Sequence, residues 1–251
     1  MLTSVVTVAQ TGTNDRAARS ASAALRTAWG EPDLMGVWNG AKLGASLGQD
    51  SFNLTRLESL YRPEVRAKMK QLSEKDDPTL RCFPHSFPHA LTVGWPIQVT
   101  QSPGMLFVLN EAFHTYRIIP TNGRKHLSAA YLAPTFLGDA VGHWEGDMLV
   151  TDVISFNGRS WLASGQDKPT RTSLGVWPTS DAMHVVERWR RLDPDTLEYQ
   201  ARVEDPQMLT GPWDTPKIAL MRAPVTKVEE VKCLVDDPAV PTSSYLKQFG
   251  R

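Results

Sequence analysis

The sequence predicts an all-β protein: an antiparallel barrel of lipocalin-like type with one short helical segment. Three observations carry that expectation. After residue 30 the chain breaks into about eight to ten short runs of strand-like composition. Its 18 prolines and 17 glycines lie mostly between those runs, where turns need them. No Gly-rich phosphate loop follows any run, which argues against a parallel nucleotide-binding sheet.

Residues 36–41 and 96–100 open the strand series. Residues 106–112 lead into 114–120, which meets Asn122-Gly123, the strongest two-residue hairpin signal in the chain. Residues 141–144 and 148–156 flank Glu145-Gly146, residues 184–192 and 196–204 flank Asp193-Pro194-Asp195, and 213–221 closes the series. One helical stretch is expected over 53–74, with Pro63 in a first turn and Val65, Met69 and Leu72 recurring at helical spacing. Residues 1–30, rich in small and polar side chains, read as a flexible arm or the remnant of a leader, and 31–251 as a single barrel domain with its C-terminal tail.

Charge excludes some functions. With 27 Lys and Arg against 27 Asp and Glu, the net charge is zero, so the basic footprint of a nucleic-acid or anionic-membrane binder is missing. No apolar run approaches the roughly 18 residues of a membrane span. Two cysteines, Cys82 and Cys233, are too far apart in sequence to form a redox pair; they are either one long-range disulfide or two unrelated thiols.

The candidate site follows from strand faces. On 148–156 the two-residue period puts Met148, Val150, Asp152, Ile154 and Phe156 on one face, apolar except for Asp152. A carboxylate on an apolar face is either hydrogen-bonded or held with a raised pKa for acid–base work. His143 and Asp139 share that face if Glu145-Gly146 is a two-residue loop, and His143 takes the opposite face if the loop has three residues. His114 and Tyr116 share a strand face with Asn110 and Ile118, so either can serve as proton donor. In the next hairpin, a two-residue Pro194-Asp195 loop pairs Glu187 with Arg202 and Arg191 with Glu198, placing Glu187 at the surface. The other face then carries His184, Val186, Arg188, Arg190, Leu197, Tyr199, Ala201 and Val203. Trp161 and Trp177 are candidates to cover a barrel mouth, with Arg188 and Tyr199 as further substrate contacts. Cys82, His85 and His89 have tolerable zinc-ligand spacing, interrupted by Pro84 and Pro88. No Gly-x-Ser-x-Gly elbow and no His-Glu-x-x-His occurs.

Leu34–Trp38, the run Gly142-His-Trp-Glu-Gly-Asp-Met-Leu-Val-Thr-Asp152, Phe156-Asn157, Trp161, Ser180-Asp181, Glu187-Arg188, Glu204-Asp205-Pro206 and Pro212-Trp213 together resemble a large family of exported bacterial proteins, most of them hypothetical. The resemblance covers most of the chain from about residue 30. It implies a disulfide between the Cys82 and Cys233 positions and an extracytoplasmic origin; it brings no reaction. Two stretches depart from the family pattern: Pro84-His-Ser-Phe-Pro-His89 replaces a Pro-Gly-Pro-Arg-like segment, and 166–179 is longer than usual. Separately, Gly36-Val37-Trp38 is similar to the Gly-x-Trp that opens lipocalin barrels.

The expectation is therefore a small-molecule enzyme without a cofactor or metal, of lyase, isomerase or cyclase type, secreted or periplasmic. Asp152 would accept a proton from a small, largely apolar or aromatic molecule held in the barrel cavity, with His143, His114 or Tyr116 as donor. The competing expectations are a secreted carrier of an apolar ligand and a hydrolase or metal enzyme using His85 and His89.

Overall fold

The computed structural model describes residues 25–40, 52–163, 175–230 and 233. The leader-like residues 2–9 and most of the long 166–179 stretch lie outside them. Ten strands form one sheet: β1 (Gly36–Asn39), β2 (Pro96–Ser102), β3 (Met105–Asn110), β4 (Tyr116–Pro120), β5 (Asp139–Glu145), β6 (Met148–Ile154), β7 (His184–Asp193), β8 (Thr196–Glu204), β9 (Trp213–Asp214) and β10 (Ile218–Arg222). The spatial order is β4-β3-β2-β1-β10-β8-β7-β6-β5, with β9 added beside β8 and every strand pairing antiparallel. The sheet curls until its two ends meet: β4 lies beside β5, and the Gly123 N–H donates to the Gly142 carbonyl at 2.9 Å. The result is the nearly closed antiparallel barrel that the strand series predicts.

Alternation fills the barrel. Ile97 and Val99 of β2, Leu106 and Val108 of β3, Leu149 and Val153 of β6, Val185 and Trp189 of β7, and Leu197, Tyr199 and Val203 of β8 are all buried in one continuous core. Buried apolar side chains contribute about 1.5–3 kcal/mol each relative to exposure, so this packed interior is the main source of stability.

The helical stretch splits in two. Helix α1 (Leu54–Leu60) buries Leu54, Leu57 and Leu60, and helix α2 (Pro63–Met69) buries Val65 and Met69. Proline disfavours helical geometry in the residue before it, and Arg62 is accordingly extended, at φ −59° and ψ 147°. The broken turn is used elsewhere: the Arg62 N–H donates to the Met208 carbonyl and Tyr61 bridges to Leu209. Pro63 then starts α2 at its first helical position, as expected; Leu72 lies beyond the helix and is exposed.

Two turns depart from the sequence reading. Asn122-Gly123 makes no hairpin, because β4 is the last strand of its side of the sheet; the turn instead carries the chain across the seam to β5. The β5–β6 loop is Gly146-Asp147, with Glu145 opposite Met148 and Gly146 at φ 64°. Cys82 and Cys233 are joined in a disulfide across a sequence separation of 151 residues, the pairing implied by the family resemblance.

Candidate active site

Strand registers decide which polar groups enter the barrel, and they exchange two carboxylates. Asp193 does pair with Thr196 around a two-residue loop, but a bulge between Arg191 and Asp193 shifts the register, so that Arg191 faces Leu197 and Glu187 faces Ala201. A one-residue slip turns every side chain to the other side of the sheet. Glu187 is therefore fully buried rather than at the surface, while Arg188 is exposed. On β6 the inward residues are Leu149, Thr151 and Val153. Asp152 faces outward, with 48% of its side chain exposed; the apolar neighbours Val150 and Ile154 mark the outer face of this strand, not the core.

Glu187 lies at the centre of a network that fills all of its acceptor positions. Its Oε1 accepts from Arg117 Nη1 at 2.9 Å and from the Tyr199 hydroxyl at 2.9 Å, and its Oε2 accepts from Arg117 Nη2 at 2.7 Å and from Thr151 Oγ1 at 2.7 Å. Arg117 on β4 thus grips β7 across the barrel interior, and its guanidinium lies over the Phe87 ring at 4.2 Å. Burial, with the Glu187 charge beside it, pushes the Tyr199 phenol well above its ordinary range. Tyr199 stays a donor, and all four acceptor positions of the carboxylate are occupied. Such a network holds strands together and leaves no lone pair for a substrate.

The Pro84–His89 stretch behaves differently. Its Phe87 is buried and packs near Trp189 at 6.2 Å between ring centroids, so the segment dips into the barrel. In the same segment the His85 and His89 rings lie 4.2 Å apart between centroids with their planes tilted by 59°, and Phe113 meets the His85 ring edge-on at 5.1 Å. His89 Nδ1 lies 2.9 Å from the Trp161 carbonyl; a carbonyl only accepts, so Nδ1 carries the proton. A small cavity of ≈ 10 Å³, about the space of one water molecule, opens here against His85, Trp95, Ile97, Asn110, Phe113 and Thr115. Asn110 donates through Nδ2 to Thr115 Oγ1 at 2.9 Å. Its Oδ1 and the Nδ1 of His85 are shut off from solvent and have no hydrogen-bond partner among the described residues. Loss of hydration, and secondarily the neighbouring His89, holds the His85 imidazole well below its usual pKa. The ring is therefore neutral at pH 7, with one nitrogen lone pair. Phe113 and His114, next to the cavity, both have left-handed backbone, at φ 62° and 49°.

The remaining expected site residues do not converge. His143 keeps the same side of the sheet as Asp152 but stands opposite Val150, is 54% exposed and pairs with Glu145 at 3.1 Å. His114 is not on a strand: the chain turns at 112–114, which breaks the alternation and separates it from Asn110. Tyr116 points outward and is exposed, whereas Asn110 points in. Trp161 and Trp177 are core residues rather than covers of a mouth, and Tyr199 belongs to the Glu187 network. The partners of Asp152 are two histidines the sequence reading passed over in this role: His126 Nε2 at 3.2 Å and His184 Nε2 at 3.1 Å, with His126 Nδ1 held by Asp139 at 2.6 Å. His85 and His89 contribute two imidazoles to one place, but no group of three or more His, Cys, Asp and Glu side chains among the described residues is arranged to hold a metal ion. No helix among the described residues is long and apolar enough to cross a membrane.

Comparison of the chain with protein-family models, with curated proteins and with solved structures finds no match to any of them.

Proposed function

We propose that this protein is a small-molecule enzyme of lyase, isomerase or cyclase type whose proton acceptor is His85, not Asp152. The observation that carries the reading is the pair of unpartnered atoms in one pocket, His85 Nδ1 and Asn110 Oδ1. Buried polar atoms without partners cost roughly 1–3 kcal/mol each, a cost that a bound water or substrate group removes. The neutral imidazole already holds a free lone pair at pH 7, and the desolvation that keeps it neutral also weakens it as a base, so it suits a proton that the bound head group makes acidic. The walls, Trp95, Ile97 and Phe113, suit a largely apolar molecule whose polar head enters the cavity. The mechanism is short: the head group sits between Asn110 and His85, the imidazole removes a proton, and the same imidazolium returns it to a neighbouring atom or to a leaving group. The disulfide supports an extracytoplasmic location, periplasmic or secreted, because such bonds persist in oxidising compartments.

The test is proton exchange in D2O, followed by NMR, over a panel of small neutral hydroxyketones, enols, phenols and hydroxylated ring compounds. The reading expects a panel member to exchange a carbon-bound proton with the wild-type protein. H85Q should slow that exchange by roughly 10²-fold or more, and D152N should leave it unchanged. Exchange that survives H85Q but is lost in D152N overturns the assignment; saturable binding with no exchange at all leaves a carrier.

A further inference from the structure

Asn110 narrows the chemical class of ligand, and this step rests on the His85 pocket being the reactive site. Thr115 holds both its backbone and its side chain: the backbone N–H donates to the Thr115 carbonyl at 2.8 Å, and Nδ2 donates to Thr115 Oγ1 at 2.9 Å. With Nδ2 so engaged, Oδ1 is the end of the amide presented to the cavity as an acceptor. An amide oxygen accepts and does not donate. The residues lining the cavity include no lysine, arginine or carboxylate. A ligand carboxylate or phosphate would enter with no compensating cation, against an oxygen lone pair. An ether or hydrocarbon would leave that lone pair unmet.

We propose that Asn110 is a specificity-determining residue that selects an uncharged ligand bearing one O–H or N–H donor, such as a phenol, enol or alcohol, and rejects both anions and molecules lacking a donor. His85 takes the proton; Asn110 decides which molecules present one.

Phenol, anisole and benzoate test this, because they share a ring and differ in donor and charge. Binding is followed by backbone and side-chain amide NMR shifts at Asn110 and its neighbours, at neutral pH, in wild type, N110L, N110D and H85Q. In wild type, phenol should shift the Asn110 side-chain amide saturably and bind about tenfold tighter than anisole or benzoate, the worth of one hydrogen bond. In N110L the preference for phenol over anisole should shrink below about threefold. N110D, which keeps the shape and the accepting oxygen, should retain the phenol–anisole order even if N110L fails to fold. Anisole or benzoate binding as tightly as phenol, phenol failing to shift Asn110, or N110L keeping full discrimination would overturn the proposal. H85Q separates it from the catalytic reading: selectivity that persists in H85Q while exchange is lost supports both. Selectivity in a wild type that exchanges no substrate keeps Asn110's role and removes the enzyme.

Discussion

Glu187 and His85 are both tied to the Phe87 segment. Arg117, which grips Glu187, packs over Phe87, and His85 precedes Phe87 by two residues. Glu187 is fully buried and the half-buried His85 has its Nδ1 shut off from water, yet their surroundings are opposites. Every acceptor position of Glu187 is filled by Arg117, Tyr199 and Thr151. His85 presents a buried nitrogen, and Asn110 a buried oxygen, to a cavity with nothing to bond among the described residues. Burial alone does not mark a reactive group. What sets His85 and Asn110 apart is that their unmet atoms meet at one cavity.

The sharpest way to break this comparison is to remove the saturated carboxylate. E187A leaves the Arg117 charge buried and unpaired, so it should destabilise the fold by about 3–5 kcal/mol in urea or guanidinium unfolding. Replacing both partners, as in E187L/R117M, should recover most of that loss, because the uncompensated charge goes too. A double variant as unstable as E187A would mean the network does more than neutralise Arg117.

A smaller effect is expected at His85. Its folded-state pKa is depressed, so below the ordinary imidazole value of about 6.5 the unfolded chain binds the extra proton and the folded chain does not. The contribution is complete above that pH and is lost as pH falls beneath it, with a slope of at most about 1.4 kcal/mol per pH unit. Denaturation midpoints between pH 7.5 and 5 should fall in wild type and fall less in H85Q. Equal slopes would place the buried titration elsewhere.

The smallest effect is expected at the carboxylate on the outside of the sheet. D152N removes a half-exposed group that meets His126 and His184, and exposed ion pairs contribute about 0–1 kcal/mol. A loss approaching that of E187A would show that the outer histidine–aspartate chain helps to lock the barrel seam.

The strand series was legible in the sequence because alternation, Gly and Pro report local structure directly. The faces were less so. On β6, Met148, Val150 and Ile154 are as apolar as Leu149 and Val153, and the deciding fact is that buried Glu187 needs the Thr151 hydroxyl, a contact between strands 36 residues apart. On β7 the error came from one bulge at Leu192, which no local pattern announces. A signal did exist: Arg188 and Arg190 share a face, and matching the apolar row Leu197, Tyr199, Ala201 and Val203 to Val185 and Trp189 would have turned Glu187 inward. The sequence places Asn110 on a strand face but gives it no role, because its partner Thr115 lies across a turn whose left-handed Phe113 and His114 carry no sequence signature.

The central claim, that His85 is a neutral imidazole with an unengaged nitrogen in a water-poor pocket, is tested most directly by its ring 15N shifts between pH 8 and 5. The account predicts a ring that stays neutral through the pH at which an ordinary imidazole titrates, with Nδ1 free of a protein hydrogen bond. A His85 that titrates as a solvent-exposed imidazole would contradict it.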